Sequence, residues 1–161
     1  MTHEEFFCDQ YKIAISEKAI LTELPLDGLR ILILEDEFLI AMEVEQACRD
    51  SGAADVRICR SLDEIGDVAP GAFDFDAAVI DLQLGPISSL DFARTLFEAR
   101  VPFVFATGYS DADEMSETFP GVSVINKPYL GSSVVEALAD AVHLMAQGLS
   151  ETRRRRVTPP C

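Results

Sequence analysis

The chain has 161 residues, a hydrophobic fraction of 48% and a formal net charge of -15 at pH 7. This length suits one domain with short appendages, and the acidic balance argues against nucleic acid as the main partner because the phosphate backbone would repel it. No apolar run is long enough to cross a bilayer, and the first residues lack the pattern of a signal peptide. We therefore expect a cytoplasmic protein that does not associate with membranes.

The common cysteine, zinc and nucleotide motifs are absent from the sequence. The four cysteines form no CxxC pair, and the two histidines are too isolated for a zinc site or a Ser-His-Asp triad. Neither GxGxxG nor GxxxxGK[ST] occurs. These absences exclude most of the common enzyme classes.

Residues 1–26 precede the repeating pattern of the rest of the chain and form an N-terminal extension. Phe7, Tyr11, Ala14 and Ile15 would share one face of a helix. Two interpretations stay open: a loosely packed extension, or one helix that docks on the domain or on a second copy in a homodimer.

Five short apolar runs alternate with amphipathic segments after this extension, which predicts βα units. Consecutive βα units give a parallel sheet with helices on both faces, because the crossovers must be right-handed. The predicted strands are Leu29–Leu34, Val56–Cys59, Phe75–Asp81, Pro102–Ala106 and Val122–Ile125.

The amphipathic segments predict five helices. The first spans about Glu37–Ser51, the second begins at the capping box Ser61–Glu64, and the third begins near Ser88. The fourth, Asp111–Glu117, is expected to be short or mobile, and the last begins at the capping box Ser133–Glu136. Their predicted inner residues are Phe38, Ala41, Met42 and Cys48 for the first, Leu90, Ala93, Leu96 and Phe97 for the third, and Val134, Leu138, Val142 and Met145 for the last.

A basic tail follows the last helix over residues 150–161. It contains the run Arg153–Arg156 and then Pro159 and Pro160. Such a charge run beside prolines is typical of a disordered, solvated segment.

Polar residues follow the predicted strands at what would be one edge of the sheet, where open α/β sheets bind their ligands. Glu35 and Asp36 follow the first strand, Asp81 ends the third, Thr107 follows the fourth and Lys127 follows the fifth. Crowded carboxylates repel one another unless a cation lies among them, and Mg²⁺ is the natural oxygen-liganded choice.

This set suits transfer of a phosphoryl group to a carboxylate, which needs an acidic nucleophile, a metal, a cation and a hydroxyl donor. Asp81 would be the nucleophile, and Asp36 with Asp81 would ligate Mg²⁺. Glu35 would act on the metal through a bound water. Lys127 and Thr107 would contact the phosphoryl oxygens.

Four blocks, ILILEDE, AAVIDLQLG, FATGY and NKPY, resemble in order and spacing the conserved blocks of response-regulator receiver domains. The resemblance covers about Leu29 to Leu149 and places the domain at residues 27–149. It implies a flavodoxin-like fold with strand order 2-1-3-4-5 and phosphorylation of Asp81 by a sensor histidine kinase. It also implies a third metal ligand, the backbone carbonyl of Gln83, and a cis peptide bond between Lys127 and Pro128.

The FATGY block resembles the "FAT GUY" subgroup of stand-alone receivers, which implies a kinase of the HWE or HisKA2 type. In the ordinary receiver a Tyr or Phe stands three residues before the lysine and reads out phosphorylation. Val124 occupies that position here, so Tyr109 or Tyr129 would have to supply any aromatic readout.

These residues suggest three functions. The preferred one is a stand-alone regulator that signals through protein contacts or drains phosphoryl groups, with no enzyme activity beyond its own Mg²⁺-dependent phosphorylation and dephosphorylation. The alternative is a non-phosphorylated adaptor, which would not need Asp81, Asp36, Thr107 and Lys127 together. A hydrolase of the aspartyl-phosphate type is disfavoured because Gln83 stands where a second acid would be.

Overall fold

The computed structural model describes residues 23–66, 72–108 and 112–157. The predicted N-terminal helix, with Phe7 and Tyr11, lies outside these residues, and so do Tyr109 and residues 158–161. In chain order, the elements of the described part are β1 (Arg30–Leu34), α1 (Phe38–Asp50), β2 (Asp55–Cys59), β3 (Ala77–Ile80), β4 (Gln83–Leu84), β5 (Ile87–Ser88), α2 (Leu90–Glu98), β6 (Phe103–Thr107), α3 (Ala112–Thr118), β7 (Val124–Asn126) and α4 (Gly131–Val157).

Five of the strands form one parallel sheet in the order β2-β1-β3-β6-β7. When the small antiparallel pair β4–β5 is set aside, this is the predicted order 2-1-3-4-5. The flavodoxin-like α/β prediction is therefore confirmed.

Alternate residues of each strand supply two separate hydrophobic clusters, as the two-residue period of a strand requires. Leu32, Leu34 and Ile80 point to the face covered by α2 and α3. Ile31 and Ile33 point to the face covered by α1 and α4. The central strands are thus buried on both faces, which explains why they are almost continuously apolar.

The inner face of α1 differs from the predicted one. Ala41 and Cys48 are buried as expected, and Val44 joins them. Phe38 and Met42 are exposed instead, because at about 100° per residue both lie to one side of the stripe formed by Ala41, Val44 and Cys48.

The helix α2 buries Ala93 and Leu96 but leaves Phe97 41% exposed, so the prediction for Phe97 was wrong. Its ring lies at the margin of an aromatic cluster on this face of the sheet. The ring of Phe119 is at its centre, with centroids 5.5 Å from Phe97, 6.0 Å from Phe103 and 5.3 Å from Phe105. Phe119 follows α3 and is 1% exposed.

The capping box predicted at Ser61–Glu64 does not begin an α-helix in the described residues. Only one 3₁₀ turn forms, at Leu62–Glu64, and the side chain of Ser61 makes no cap hydrogen bond. Glu64 instead accepts a hydrogen bond from the backbone N–H of Arg60 at 2.8 Å. The predicted end of this helix falls in residues 67–71, outside the described part.

The last helix is longer than predicted at both ends. It begins at Gly131, two residues before the predicted cap Ser133, and continues to Val157. Residues 150–157 are therefore helical where the sequence indicates a disordered tail, consistent with the good helix propensity of Arg and Glu. Of the predicted inner residues, Val134 and Leu138 are buried, whereas Val142 and Met145 are only half-buried.

Two close approaches position α1, one against α4 and one against the chain that precedes β1. The backbone N–H of Gly131 donates to Glu43 at 3.2 Å, and a Cβ on Gly131 would lie 2.8 Å from Cβ of Ala47. At the other end of α1, Gly52 has φ +94° and lies against Leu24. The N–H of Leu26 donates to Ser51 at 2.9 Å, and the fully buried Leu26 side chain extends the domain one residue before its predicted start at 27.

No helix in the described ranges is both long and apolar enough to span a membrane.

Candidate functional site

The polar residues predicted to meet at one edge of the sheet do so. Glu35 and Asp36 follow β1, Asp81 follows β3, Thr107 is the last residue of β6 and Lys127 follows β7. The strands are parallel neighbours, so their carboxyl ends lie side by side. Glu35, Asp81 and Thr107 are buried, at 3%, 6% and 1% exposure.

The ammonium group of Lys127 connects the carboxylates of two strands. Its Nζ lies 2.6 Å from Oδ2 of Asp81 and 2.8 Å from Oε2 of Glu35. Oε1 of Glu37 is more distant, at 3.5 Å. This one cation therefore offsets much of the repulsion between two buried carboxylates.

Burial and pairing act in opposite directions on these groups. Burial raises the pKa of Glu35 to about 7, although hydrogen bonds from Lys127 and from the Glu37 backbone N–H lower it. Burial lowers the pKa of Lys127, but hydrogen bonds to Asp81 and Glu35 together outweigh that effect and raise it. Lys127 thus stays charged, whereas Glu35 is poised to exchange a proton near neutral pH.

Glu35, Asp36 and Asp81 form a group that suits a hard divalent cation. One carboxylate oxygen from each lies within 4.8 Å of the others. Oxygen donors on an open, partly solvated edge are what Mg²⁺ prefers, since it retains several waters. The residues present therefore fit the predicted ion.

Several contacts that the sequence did not reveal hold Asp81 and Asp36. The N–H of Gln83 donates to Oδ1 of Asp81 at 3.1 Å, and the buried Ser89 hydroxyl donates to the Asp81 carbonyl at 2.6 Å. The Arg60 guanidinium donates to the carbonyl of Asp36 at 3.1 Å. Only the Ser88-Ser89 pair ahead of α2 hinted at such a role, as a turn or cap. The proposed metal contact of the Gln83 carbonyl stays a prediction.

The hydroxyl oxygen of Thr107 is buried and makes no hydrogen bond to the described residues. A buried hydroxyl without a partner is costly, on the order of 1–3 kcal/mol, so such a group usually serves a ligand or a moving element. Oδ1 of Asn126, the register partner of Thr107 on β7, is in the same situation.

Val124 and Tyr129 lie on opposite faces of the sheet, and Tyr109 lies outside the described residues. Val124 pairs with Phe105 and packs against the α2–α3 face. Tyr129 packs on the opposite face with α1, and its pKa is raised by burial and by the nearby Glu35. The Lys127-Pro128 peptide bond is cis, as the resemblance implied.

In EDTA, the stability of the domain should depend on pH through Glu35. The pKa of Glu35 is about 7 in the folded protein, above its ordinary value of 4.5. The contribution of Glu35 to the free energy of unfolding is therefore complete below pH 4.5 and is lost as the pH rises through 7. The free energy of unfolding of the wild type should therefore fall by on the order of 3 kcal/mol relative to Glu35→Gln across this window. Urea titrations at both limits measure it, and parallel curves for the two proteins would contradict it.

The chain was compared with known proteins. No protein-family model matches it. The cell cycle transcriptional regulator CtrA of Caulobacter vibrioides is 30% identical over 95 residues, in the sequences from two strains. The match covers 58% of this chain and 40% of CtrA, so the chain spans well under half the length of these curated relatives.

Solved structures give a similar result. A response regulator receiver protein from Sinorhizobium medicae is 20% identical with a TM-score of 0.61, and covers 74% of this chain and 98% of its own. The receiver domain of HemR from Leptospira biflexa is 21% identical with a TM-score of 0.60, covering 71% and 94%. A CheY-like receiver domain protein from Methanospirillum hungatei is 20% identical with a TM-score of 0.58, covering 76% and 99%. The chain therefore has the fold of a response-regulator receiver domain.

Proposed function

We propose that the chain is a phospho-accepting receiver of a two-component system, in which Asp81 takes a phosphoryl group in a Mg²⁺-dependent reaction. The observation that carries the proposal is the contact of 2.6 Å between Lys127 Nζ and Asp81 Oδ2, beside the carboxylate group of Glu35 and Asp36. A fold alone does not imply function, but this arrangement has the parts that acyl phosphate formation requires.

In the proposed reaction, a carboxylate oxygen of Asp81 attacks the phosphorus of the donor. The bond from that oxygen to phosphorus forms as the bond from phosphorus to the donor's leaving atom breaks. Gln83 and Ser89 hold the Asp81 carboxylate and backbone in place. Lys127 stabilises the negative charge on the phosphoryl oxygens, and the unpartnered Thr107 hydroxyl is available to donate to one of them.

Mg²⁺ would be held by Asp36 and Asp81 directly, by Glu35 through water, and by the Gln83 carbonyl. When bound, it would neutralise charge on the phosphoryl oxygens. Mg²⁺ held by these carboxylates would take over part of the charge compensation that Lys127 now provides, and the Lys127 ammonium would then be available to a phosphoryl group.

The natural donor would be a sensor histidine kinase. Phe105–Thr107 with Gly108, and Pro128-Tyr129, support the "FAT GUY" assignment and thus an HWE or HisKA2 kinase. The net charge of -15 supports an output through protein contacts, or a role as a phosphate sink, rather than DNA binding.

The proposal is tested with acetyl phosphate and Mg²⁺, followed by intact mass measurement. The wild type should gain one phosphoryl group, and Asp81→Asn should gain none because the amide oxygen is a poor nucleophile. Asp91→Asn, which removes an exposed carboxylate on α2, is the matched control and should behave as wild type. EDTA should prevent the modification in every protein.

The competing functions give different results in the same experiment. A folded wild type that takes up no phosphoryl group, and binds no beryllofluoride with Mg²⁺, would favour the adaptor. Sustained release of phosphate at many turnovers would favour the hydrolase.

A further inference from the structure

An apolar groove of about 580 Å³ lies at the opposite end of the sheet from Asp81. It opens between the end of α2, the start of β6, the turn before β7 and the middle of α4. The main apolar side chains that line it are Phe97, Val101, Phe103, Val122, Leu144 and Met145. The five residues of β6 separate it from the carboxylate edge by roughly 16 Å.

The groove exists because β7 is short. Phe105–Thr107 of β6 pair with Val124–Asn126, so the first two residues of β6, Phe103 and Val104, have no pairing partner on that side. Beside the first residues of β6, α2 and α4 therefore face each other across a gap that no strand fills. Of the described side chains that line the groove, Phe97 and Leu144 are the large apolar ones that are exposed, at 41% and 61%.

The chain that precedes the described residues reaches this groove easily. Leu26 is fixed at the start of β1, where its N–H donates to Ser51. From β1 to β6 is two strand spacings, and the position of Leu24 beside Gly52 adds about one more, so roughly five extended residues span the distance of about 15 Å. Residues 1–22 are thus far longer than the distance requires.

The composition of that segment matches the groove. Phe7, Tyr11 and Ile15 recur at a spacing of four, so they would form one apolar face on a helix. Glu4, Glu5 and Asp9 lie at its start, and Arg153–Arg156 lie on the continuation of α4 beyond Leu144 and Met145. The segment thus offers an apolar face that suits the groove and acidic residues that suit the arginine run of α4.

We propose that residues 1–22 of the same chain occupy this groove, with the face formed by Phe7, Tyr11 and Ile15 against Phe97, Leu144 and Met145. A segment tethered to Glu23 has an effective concentration of order millimolar at the groove, far above that of a second copy at ordinary dilution. The segment covers an apolar surface that would otherwise stay in water.

The test uses disulfide trapping in the full chain, since Cys8 adjoins Phe7 in the sequence. Cys48 and Cys59 are buried, and Cys161→Ser removes the remaining thiol of the tail. In this background, Glu98→Cys places a thiol on the groove. The control Asp63→Cys places one at an exposed site beside β2, at the other edge of the sheet.

With oxidised glutathione, the thiol introduced by Glu98→Cys should form an intramolecular disulfide with Cys8 about tenfold faster than that of Asp63→Cys, because a disulfide needs Cα atoms within roughly 7 Å. Peptide mass mapping identifies the pair. Adding Leu144→Asp should slow the Glu98→Cys reaction to the rate of the control, whereas Leu144→Met should not. Circular dichroism checks that each variant is folded.

Equal rates for the two introduced thiols would overturn the proposal. A predominant interchain disulfide would also overturn it, since the occupant would then be a second copy. A rate that Leu144→Asp leaves unchanged in the folded protein would show that the apolar groove is not what holds the segment.

Discussion

Lys127→Met should lower the free energy of unfolding by about 3–5 kcal/mol in EDTA near neutral pH, because it removes the cation from two buried carboxylates. Lys127 Nζ contacts Asp81 at 2.6 Å and Glu35 at 2.8 Å, and both carboxylates are more than nine-tenths buried. Met retains most of the apolar stem of lysine, so the loss reports the charge rather than the packing. Urea unfolding followed by circular dichroism measures it.

Two controls separate this charge effect from general damage. Arg94→Met removes an exposed cation from α2 and should change stability by less than about 0.5 kcal/mol. The loss for Lys127→Met should shrink below the pKa of about 7 of Glu35, where protonation removes one of the two charges. Millimolar Mg²⁺ should restore part of the loss, because a bound divalent cation takes over the charge compensation. A loss that neither protonation nor Mg²⁺ reduces would contradict this explanation.

Phe119→Ala should lower the free energy of unfolding by about 3–5 kcal/mol, the usual cost of truncating a fully buried phenylalanine. Its ring is 1% exposed and contacts three other phenylalanine rings at centroid distances of 5.3 to 6.0 Å. In the described side chains of α3, Met115 is the buried apolar one, so Phe119 provides much of the attachment of this seven-residue helix.

A comparison with Phe38→Ala makes this test specific. Phe38 is 59% exposed at the start of α1, and its truncation should cost about 1 kcal/mol or less. Hydrogen exchange should show a larger loss of protection over Ala112–Thr118 in Phe119→Ala than over the strands. Equal costs for the two substitutions, or unchanged exchange of α3, would show that Phe119 does not anchor the helix.

The strands were predictable because they are buried on both faces, whereas the helix faces were harder. Continuous runs such as AAVI have few other interpretations, and the five strands appear within two residues of most predicted bounds. For α1, several apolar stripes fit the same period, and the sequence does not indicate that Leu39 and Phe38 stay in solvent. The pair β4–β5 was missed because two-residue strands around Gly85-Pro86 resemble an ordinary loop.

The sequence predicts which residues meet at the candidate site, but not the contacts that they make with one another. Parallel strands place Glu35, Asp81 and Lys127 at one edge whatever the details of packing. That Lys127 would pair with Glu35 as well as Asp81, or that Ser89 would hold the Asp81 carbonyl, depends on side-chain geometry that spacing does not encode. The same is true of the buried Asn126 oxygen, which pattern alone would place on an ordinary strand end.

The connection from β7 to α4 is fixed at both of its ends. Lys127 is held by carboxylates of β1 and β3, and Gly131 is pressed against α1, where a Cβ would lie 2.8 Å from Ala47. The connection between these two points is short, since only Pro128, Tyr129 and Leu130 lie between them. The side-chain contacts of Lys127 and the packing of the beginning of α4 on α1 are therefore joined through only three residues. A side chain at position 131 would separate α1 from the beginning of α4 and, through these three residues, disturb the position of Lys127 beside the carboxylates.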